Sequence, residues 1–455
     1  MFTINPGRRA LLKALSLAPA AVLLPARLRA AADNALSWQN WSGNQRCAPQ
    51  AIHYPSDAAQ LAEIIRNSSG RIRCFGGSHS FSPVVPTDDT LVSLEAMSGL
   101  LGHDPDTLTA TFAAGTRIGM ASAANYKVGQ SFTNEPDINL QSLAGALATS
   151  THGTGAALPA LPGMVESLRL MTASGEHLSL SAADGDLFRA ACCNVGALGV
   201  VTEITFHNEP AYRLEEKTSV MPLRDAMDMI EREKDQQRNI EFFAFPHGES
   251  AIVKVTNLTD EPDTPVEAED SNELLEMACE VSMRAPWLTG MIQKAVTFFV
   301  EDTVRRGPAW QIYANKRAVM FNEMEYTVPA EQGLACLEQV CDTIRSQDIN
   351  VFFPIEFRYT AADNSLIGMF SERPGCSISV HQYHRQDYAP LFNAVEPIFH
   401  QHAGRPHWGK LHSMDVAALR GVYPHLDRFR EIRAQLDPTG KFLNPHLESI
   451  FGVQA

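Results

Sequence analysis

Two adjacent glycines, Gly76 and Gly77, end a short apolar stretch and are followed two positions later by His79. Glycine has no Cβ, so consecutive backbone N–H groups at such a turn can converge on an anion such as a diphosphate. The imidazole of His79 can then reach the ligand that the turn holds. Taken alone, the pattern is equally compatible with a tight surface turn.

Two later segments, residues 142–155 and 196–202, are also rich in small residues and hydroxyls. Such segments allow backbone to lie against a planar ligand while N–H and O–H groups bond its polar edge. Neither matches G-x-G-x-x-G or the Walker lysine motif, which disfavours a Rossmann or P-loop fold. Together the three segments predict a nucleotide cradle. Its candidate cofactor-binding residues are Gly76, Gly77, Ser78, His79, Ser80, Ser142, Gly145, Thr149, His152, Gly153 and Val201.

A charged pair interrupts an otherwise apolar alternating run at residues 355–359. In a strand, Glu356 and Arg358 share one face and the apolar residues take the other. A structural salt bridge at a sheet edge is one explanation, and a catalytic face is the alternative. A second alternating run, residues 379–383, places Ser379, His381 and Tyr383 on one side. If the two strands are neighbours, Glu356, Arg358 and His381 meet.

The amino-terminal segment and the net charge limit where the protein is located and what it can bind. Arg8 and Arg9 precede an apolar run at 14–25 and three alanines at 30–32, which predicts a twin-arginine signal peptide over residues 1–32 and export to the periplasm or beyond. The apolar run is too short for stable membrane insertion. A formal net charge of −15 disfavours nucleic acid as a partner.

The pattern of runs and turns predicts an α+β protein with two domains. Residues 33–212 form the first domain, residues 213–430 the second, and residues 431–455 a turn-rich segment that closes the fold. Eight cysteines lack metal-ligand spacing, and we interpret most of them as buried packing residues. The histidine pairs 381/384 and 400/402 have no third ligand at a convincing spacing, so we expect no metal.

The chain resembles the vanillyl-alcohol oxidase superfamily, in its aldonolactone and alditol oxidase branch. The resemblance rests on the three glycine-rich segments, on Glu356-x-Arg358 and on the strand histidine His381. It extends to residues 321–326, to residues 407–410 with Lys410, and to residues 437–445. It implies an FAD-binding domain of the PCMH type with two subdomains at 33–212. A substrate domain with an antiparallel sheet would follow at 213–430, and residues 431–455 would return to the FAD domain.

The resemblance also implies the chemistry. His79 would bond covalently to the flavin 8α-methyl carbon, and a CH–OH group of an aldonolactone, alditol or similar polyhydroxylated substrate would give a hydride to flavin N5. His381 is the candidate general base. Arg358 and Lys410 would stabilise negative charge, and Glu356 would orient Arg358.

Three functions remain open from the sequence. The first is an oxidase with O₂ as acceptor that yields H₂O₂. The second is a dehydrogenase with a quinone or cytochrome acceptor, and the third is a non-catalytic periplasmic binding protein that retains flavin. Asp137 stands where alditol oxidases have a small hydroxyl residue, and Tyr383 stands where they have threonine. We expect both to reshape the pocket beside the flavin.

Overall fold

A computed structural model of the protein describes residues 36–265, 272–315 and 317–453. The predicted signal peptide at 1–32 lies outside these residues. No helix within the described ranges is long and apolar enough to cross a bilayer.

The described residues of the first half form two main sheets and two further antiparallel pairs of short strands. Its strands are β1 Trp38–Gln39, β2 Arg46–Cys47, β3 Ala51–His53, β4 Ile72–Phe75, β5 Thr90–Ser93, β6 Leu100–Asp104, β7 Thr109–Ala113, β8 Gln130–Ser131, β9 Val165–Met171, β10 His177–Ser181, β11 Val200–His207 and β12 Glu209–Pro210. Its helices are α1 Ala58–Asn67, α2 Ile118–Lys127, α3 Leu143–Ala148 and α4 Asp186–Ala191. A parallel sheet has the order β3-β5-β4, and an antiparallel sheet has the order β10-β9-β11-β7-β6. These are the two subdomains that the resemblance implies.

The second half is built on one large sheet. Its strands are β13 Arg213–Pro222, β14 Asn239–Phe245, β15 Ser250–Leu258, β16 Thr303–Pro308, β17 Phe321–Pro329, β18 Ile355–Thr360, β19 Gly375–Tyr383 and β20 Arg405–Pro406. Its helices are α5 Leu223–Glu233, α6 Asn272–Arg284, α7 Thr289–Phe299, α8 Ala309–Ile312, α9 Gly333–Ser346, α10 Ala389–Gln401, α11 Val416–Val422, α12 Leu426–Leu436 and α13 Pro445–Phe451. The sheet order is β16-β13-β15-β14-β18-β19-β17-β20, with antiparallel neighbours throughout. The predicted α+β class and antiparallel substrate-domain sheet are therefore confirmed.

The alternation in β18 divides the sheet into an apolar and a charged face. Phe357 is fully buried, and the gap between it and helix α9 is so narrow that a Cβ on Gly333 would lie 3.2 Å from its ring. Glu356 and Arg358 point the opposite way, because successive side chains in a strand alternate. The helix-covered face is thus the core, and the charged face is left for a site.

The carboxy-terminal segment packs against the first half. The N–H of Ile72 donates to the carbonyl of Lys441 at 2.8 Å, which places the segment beside β4. Arg73 donates to Phe442 O at 2.5 Å, and Asn444 donates to Pro83 O and Pro86 O at 2.8 and 2.9 Å. The segment 441–444 therefore contacts the chain on both sides of the glycine turn, at β4 before it and at Pro83 and Pro86 after it.

The cysteines serve packing. All eight are free thiols, and six of them are buried, namely Cys192, Cys193, Cys279, Cys336, Cys341 and Cys376. Burial raises the pKa of Cys74 to about 11, so this thiol beside the glycine turn stays protonated.

Candidate active site

A cavity of about 1070 Å³ lies between the glycine turn, helix α3 and the start of β11. Nine predicted cofactor residues line it: Gly76, Gly77, Ser78, His79, Ser80, Ser142, Gly145, Thr149 and Val201. Ser142 caps α3, since its Oγ accepts from Gly145 N at 3.3 Å. The three glycine-rich segments therefore converge as the sequence predicted.

The turn itself has the features of an anion cradle. A Cβ on Gly76 would lie 2.0 Å from Ser142 Oγ, and one on Gly77 would lie 2.7 Å from Leu140 O. Ser78 adopts a left-handed φ of 55°. Within the described parts of the chain, the backbone N–H groups of residues 77–80 donate to no protein acceptor, although these residues line the cavity. Four successive free donors fit the diphosphate of a dinucleotide.

His79 lies at the end of this cavity nearest the second half. Its ring is 5.5 Å from that of Trp41, centroid to centroid. Burial first, and then the charges of Lys410 and Arg117, lower the pKa of His79 to about 4. The imidazole is therefore neutral at physiological pH and keeps a nucleophilic nitrogen lone pair.

A second pocket of about 450 Å³ adjoins the first, and Gln141 lines both. All four predicted catalytic residues line this pocket, namely Glu356, Arg358, His381 and Lys410. Strands β18 and β19 are neighbours, with Glu356 opposite Ser379, so the condition for their meeting holds. The side chains of Glu356 and Arg358 are 3.5 Å apart.

The pair does form a salt bridge, but the alternative that it lies at a sheet edge is wrong. Strand β18 lies between β14 and β19, in the interior of the eight-stranded sheet. Arg358 also approaches Glu325, at 3.4 Å, so its guanidinium is shared between two carboxylates inside a pocket.

Two carboxylates that the sequence reasoning did not assign complete the pocket. Glu323 contacts Lys410 and lies 3.5 Å from His381 Nε2, and Glu325 lies 2.6 Å from His152 Nε2. Both stand on β17, which pairs with β19. The available signal was their two-residue spacing beside the apolar residues Met324 and Tyr326, similar to the spacing that singled out Glu356 and Arg358.

Ion pairing keeps these buried carboxylates charged. Burial acts to raise the pKa of Glu323, but Lys410 and then His381 outweigh it and lower the value to about 2. Burial opposes ionisation of Glu325 in the same way, and His152 and Arg358 hold its pKa well below the usual range. The pocket therefore presents alternating fixed charges.

The two departures from the alditol oxidase pattern have different outcomes. Asp137 lines the charged pocket and pairs with Arg317 through two guanidinium nitrogens, so the expected change in polarity is present. Tyr383 is different, and the expectation for it is wrong. Its ring joins an apolar cluster with Phe321 and Phe353, and its hydroxyl donates to Glu280 at 2.7 Å.

His152 and Gly153 lie away from the glycine-lined cavity. His152 lines the charged pocket instead, and a Cβ on Gly153 would lie 2.4 Å from Glu135 O, so this glycine serves close packing. The reason is local, because Ser150 takes a left-handed φ of 60° and turns the chain after α3.

Glu323, Glu356 and His381 offer ligand atoms within 4.8 Å of one another. Lys410 and Arg358 already supply cations to the two carboxylates. The expectation of no metal stays a prediction.

Comparisons with known proteins agree with this geometry. The family model described as D-arabinono-1,4-lactone oxidase matches residues 204–450, and the model described as FAD binding domain matches residues 49–181. The L-gulono-1,4-lactone dehydrogenase of Mycobacterium tuberculosis is 34% identical over 425 residues, which cover 91% of this chain and 99% of that protein. The L-gulonolactone oxidase of Scyliorhinus torazame is 26% identical, with 91% and 98% covered.

A solvent-stable cholesterol oxidase shares the fold, with a TM-score of 0.78, 17% identity, and 92% of this chain and 97% of that one covered. The anion cradle beside a buried charged pocket fits FAD, and the predicted cofactor is confirmed. The chain is an FAD-dependent oxidoreductase that belongs to the D-arabinono-1,4-lactone oxidase family.

Proposed function

We propose that the enzyme oxidises a CH–OH group of an aldonolactone, with alditols and similar polyhydroxylated compounds as the next class to test. The observation that carries the proposal is the wall shared by the two cavities, since Gln141 lines both. A substrate bound among Glu356, Arg358, His381 and Lys410 lies directly against the cofactor cavity. The L-gulono-1,4-lactone dehydrogenase relative supports a lactone.

The glycine-lined cavity would hold FAD, which would supply the hydride acceptor for the substrate carbon. The hydroxyl proton must go to a protein group, and His381 is placed for this. Its Nδ1 lies 3.2 Å from Pro354 O, and its Nε2 lies 3.5 Å from Glu323. After it accepts a proton both ring nitrogens are donors, and each then faces an acceptor.

The cations on the pocket wall would bind and polarise the substrate. Arg358 is held by Glu356 and Glu325, and Lys410 is held by Glu323, so neither needs to reorganise when negative charge develops on the substrate oxygen. Fixed carboxylates also offer acceptors for the remaining substrate hydroxyls.

His79 is the residue that would tether FAD covalently, at the 8α-methyl carbon: the new N–C bond would replace a methyl C–H bond and the imidazole N–H bond, and the proposed acceptor O₂ would take the two electrons and two protons released. Its neutral imidazole supports this role, because the pKa of His79 is lowered to about 4 by burial and by Lys410 and Arg117. A tether would retain the cofactor outside the cell.

The primary test is anaerobic bleaching of the flavin absorbance by a panel of aldonolactones, alditols and simple alcohols. We expect bleaching by at least one aldonolactone and none by simple alcohols. Absence of bleaching by every lactone and alditol would contradict the proposal.

For the acceptor, we propose O₂, with H₂O₂ as product, in line with the oxidase names of the family model and one relative. A dehydrogenase is the second candidate because the relative at 34% identity carries that name. Peroxide release in air, compared with reduction of a quinone or cytochrome c, separates the two.

We also propose export by the twin-arginine route, from the paired arginines and apolar run within residues 1–32. Fractionation of cells that express the full chain, with an Arg8→Lys/Arg9→Lys variant as control, tests it. Equal amounts outside the cytoplasm for both proteins would contradict export by this route.

A further inference from the structure

Glu323 is approached from two sides by side chains of the proposed reaction. Its Oε2 contacts the ammonium of Lys410, and its Oε1 lies 3.5 Å from His381 Nε2. Its residue is only 3% exposed. One buried carboxylate therefore joins two groups that come from separate strands and loops.

The backbone of Glu323 holds the same neighbours. Strand pairing sets Glu323 directly opposite His381. Its carbonyl accepts from Leu411 N at 3.0 Å, which fixes the chain next to Lys410. The backbone of Glu323 thus contacts both the loop that carries Lys410 and the strand that carries His381.

Stability does not explain such a residue. Removing charges from water is costly, and apolar replacements of buried ion pairs are often neutral or stabilising. The lysine ammonium also sits on a flexible four-carbon stem with several rotamers. Without Glu323, the next carboxylate for the Lys410 ammonium is that of Glu325, at 4.0 Å. Glu325 already pairs with His152 and Arg358.

We propose that Glu323 is a positioning residue, which sets where the Lys410 ammonium and the His381 imidazole stand relative to the reacting CH–OH group; this role rests on the function proposed above. Glu323 acts through these two side chains. Its loss leaves the pocket formed but lets Lys410 turn towards Glu325 and removes the acceptor facing His381 Nε2.

The kinetic test compares Glu323→Gln with Glu216→Gln. Glu216 is a matched control, because it is buried in the same sheet and pairs with Lys254 and Arg305 but does not line the pocket. We expect kcat to fall about 100-fold in Glu323→Gln with KM changed less than about threefold, since misplaced groups cost that much in rate. Glu216→Gln keeps kcat. An equal loss of kcat in both variants would overturn the proposal.

Glu323→Asp keeps the charge but shortens the reach. We expect its kcat to lie between those of the wild type and Glu323→Gln, because Lys410 keeps a counter-ion at a longer distance. A kcat for Glu323→Asp as low as for Glu323→Gln would show that the charge does not position the lysine and would count against the proposal.

A second readout needs no substrate. Reductive methylation of the holoenzyme, followed by mass spectrometry, measures how readily the Lys410 amine reacts. We expect faster labelling of Lys410 in Glu323→Gln than in the wild type, and an unchanged rate in Glu216→Gln. Equal rates in all three proteins would overturn the positioning role. Because labelling is independent of turnover, it also separates this failure from failure of the proposed activity.

Discussion

His79 and His381 both line the candidate active site, but their nearest charged neighbours differ. His79 lies near Lys410 and Arg117, which together with burial lower its pKa to about 4. A cationic neighbourhood favours the neutral, nucleophilic imidazole at His79. His381 instead faces the carboxylate of Glu323, at 3.5 Å, inside the charged pocket. The two imidazoles therefore have different surroundings.

For His381→Ala we expect the flavin absorbance to persist and turnover to fall by about 10²–10⁴, the usual contribution of a general base. The physical reason is the loss of the proton acceptor from the charged pocket while the glycine-lined cavity stays intact. Steady-state kinetics with the best lactone, together with the absorbance spectrum, measure both quantities. Turnover within about twofold of the wild type would contradict the assignment.

For His79→Ala we expect the flavin to separate from the denatured protein, whereas in the wild type it stays attached. Fluorescence of the protein band on a denaturing gel measures this. Since the neutral imidazole is the nucleophile and the pKa of His79 is about 4, attachment to the apoprotein proceeds equally well from pH 6 to pH 8. A wild-type band without flavin fluorescence would count against the tether.

At the residue scale, Glu356 and Arg358 were conspicuous as charges in an apolar alternating strand. His381 followed from a second alternating run, whereas Lys410, which lies in a loop, was assigned from the resemblance alone. Glu323 and Glu325 carry the same signal, but their partners Lys410 and His152 lie 87 and 173 positions away. Ion pairs over such separations depend on the sheet order. The expectation for Tyr383 was wrong for a related reason. Its hydroxyl donates to Glu280, which lies on helix α6.

At the scale of elements, the protonation of the Glu135 side chain is linked to its contact with helix α2. Ser122 lies on α2, 2.9 Å from Ile118 O and 2.6 Å from Glu135 Oε2. One hydroxyl hydrogen satisfies only one of these acceptors, so a protonated Glu135 that donates to Ser122 satisfies both. Burial raises the pKa of Glu135 to about 7, in agreement.

For Glu135→Gln we therefore expect a gain in stability that appears only as the pH rises. The folded pKa lies above the ordinary value of 4.5, so the stability due to this acid is full below about pH 4.5 and is lost by about pH 7. The gain in the free energy of unfolding at high pH is on the order of 3 kcal/mol. Melting temperatures at pH 5 and pH 8 measure it, with Glu63→Gln on exposed α1 surface as control. If the melting temperatures of Glu135→Gln and the wild type differ by the same amount at pH 5 and at pH 8, the prediction is contradicted.

Individual elements were largely predictable. Asp57 caps α1 through Gln60 N at 2.9 Å, and β4 Ile72–Phe75 leads directly into the glycine turn. Local signals decide such elements, since caps and alternation act over a few residues. The order of the eight-stranded sheet was not predictable, because it places β18 and β19 between β14 and β17.

At the scale of the whole molecule, Asn444 connects the last helix to the first half. Its amide donates to Pro83 O and Pro86 O, and its Oδ1 accepts from Leu447 N at 3.0 Å. For Asn444→Ala we expect the free energy of unfolding to fall by about 3 kcal/mol, because the two proline carbonyls lose their donor and α13 loses its cap. Urea unfolding measures it.

Asp415→Ala is the matched control, since Asp415 caps α11 through Ala418 N at 2.8 Å and is exposed. It should cost about 1 kcal/mol. Equal losses for the two variants would show that the contacts between the halves contribute nothing.

The return of the carboxy-terminal segment to β4 has a consequence for biosynthesis. Chains generally fold from the amino terminus while they are still being translated. Here the carbonyls of Lys441 and Phe442 that complete the surroundings of Ile72 and Arg73 are made 369 positions later in the chain. The nucleotide-holding half is therefore completed only after the eight strands of the large sheet have been translated.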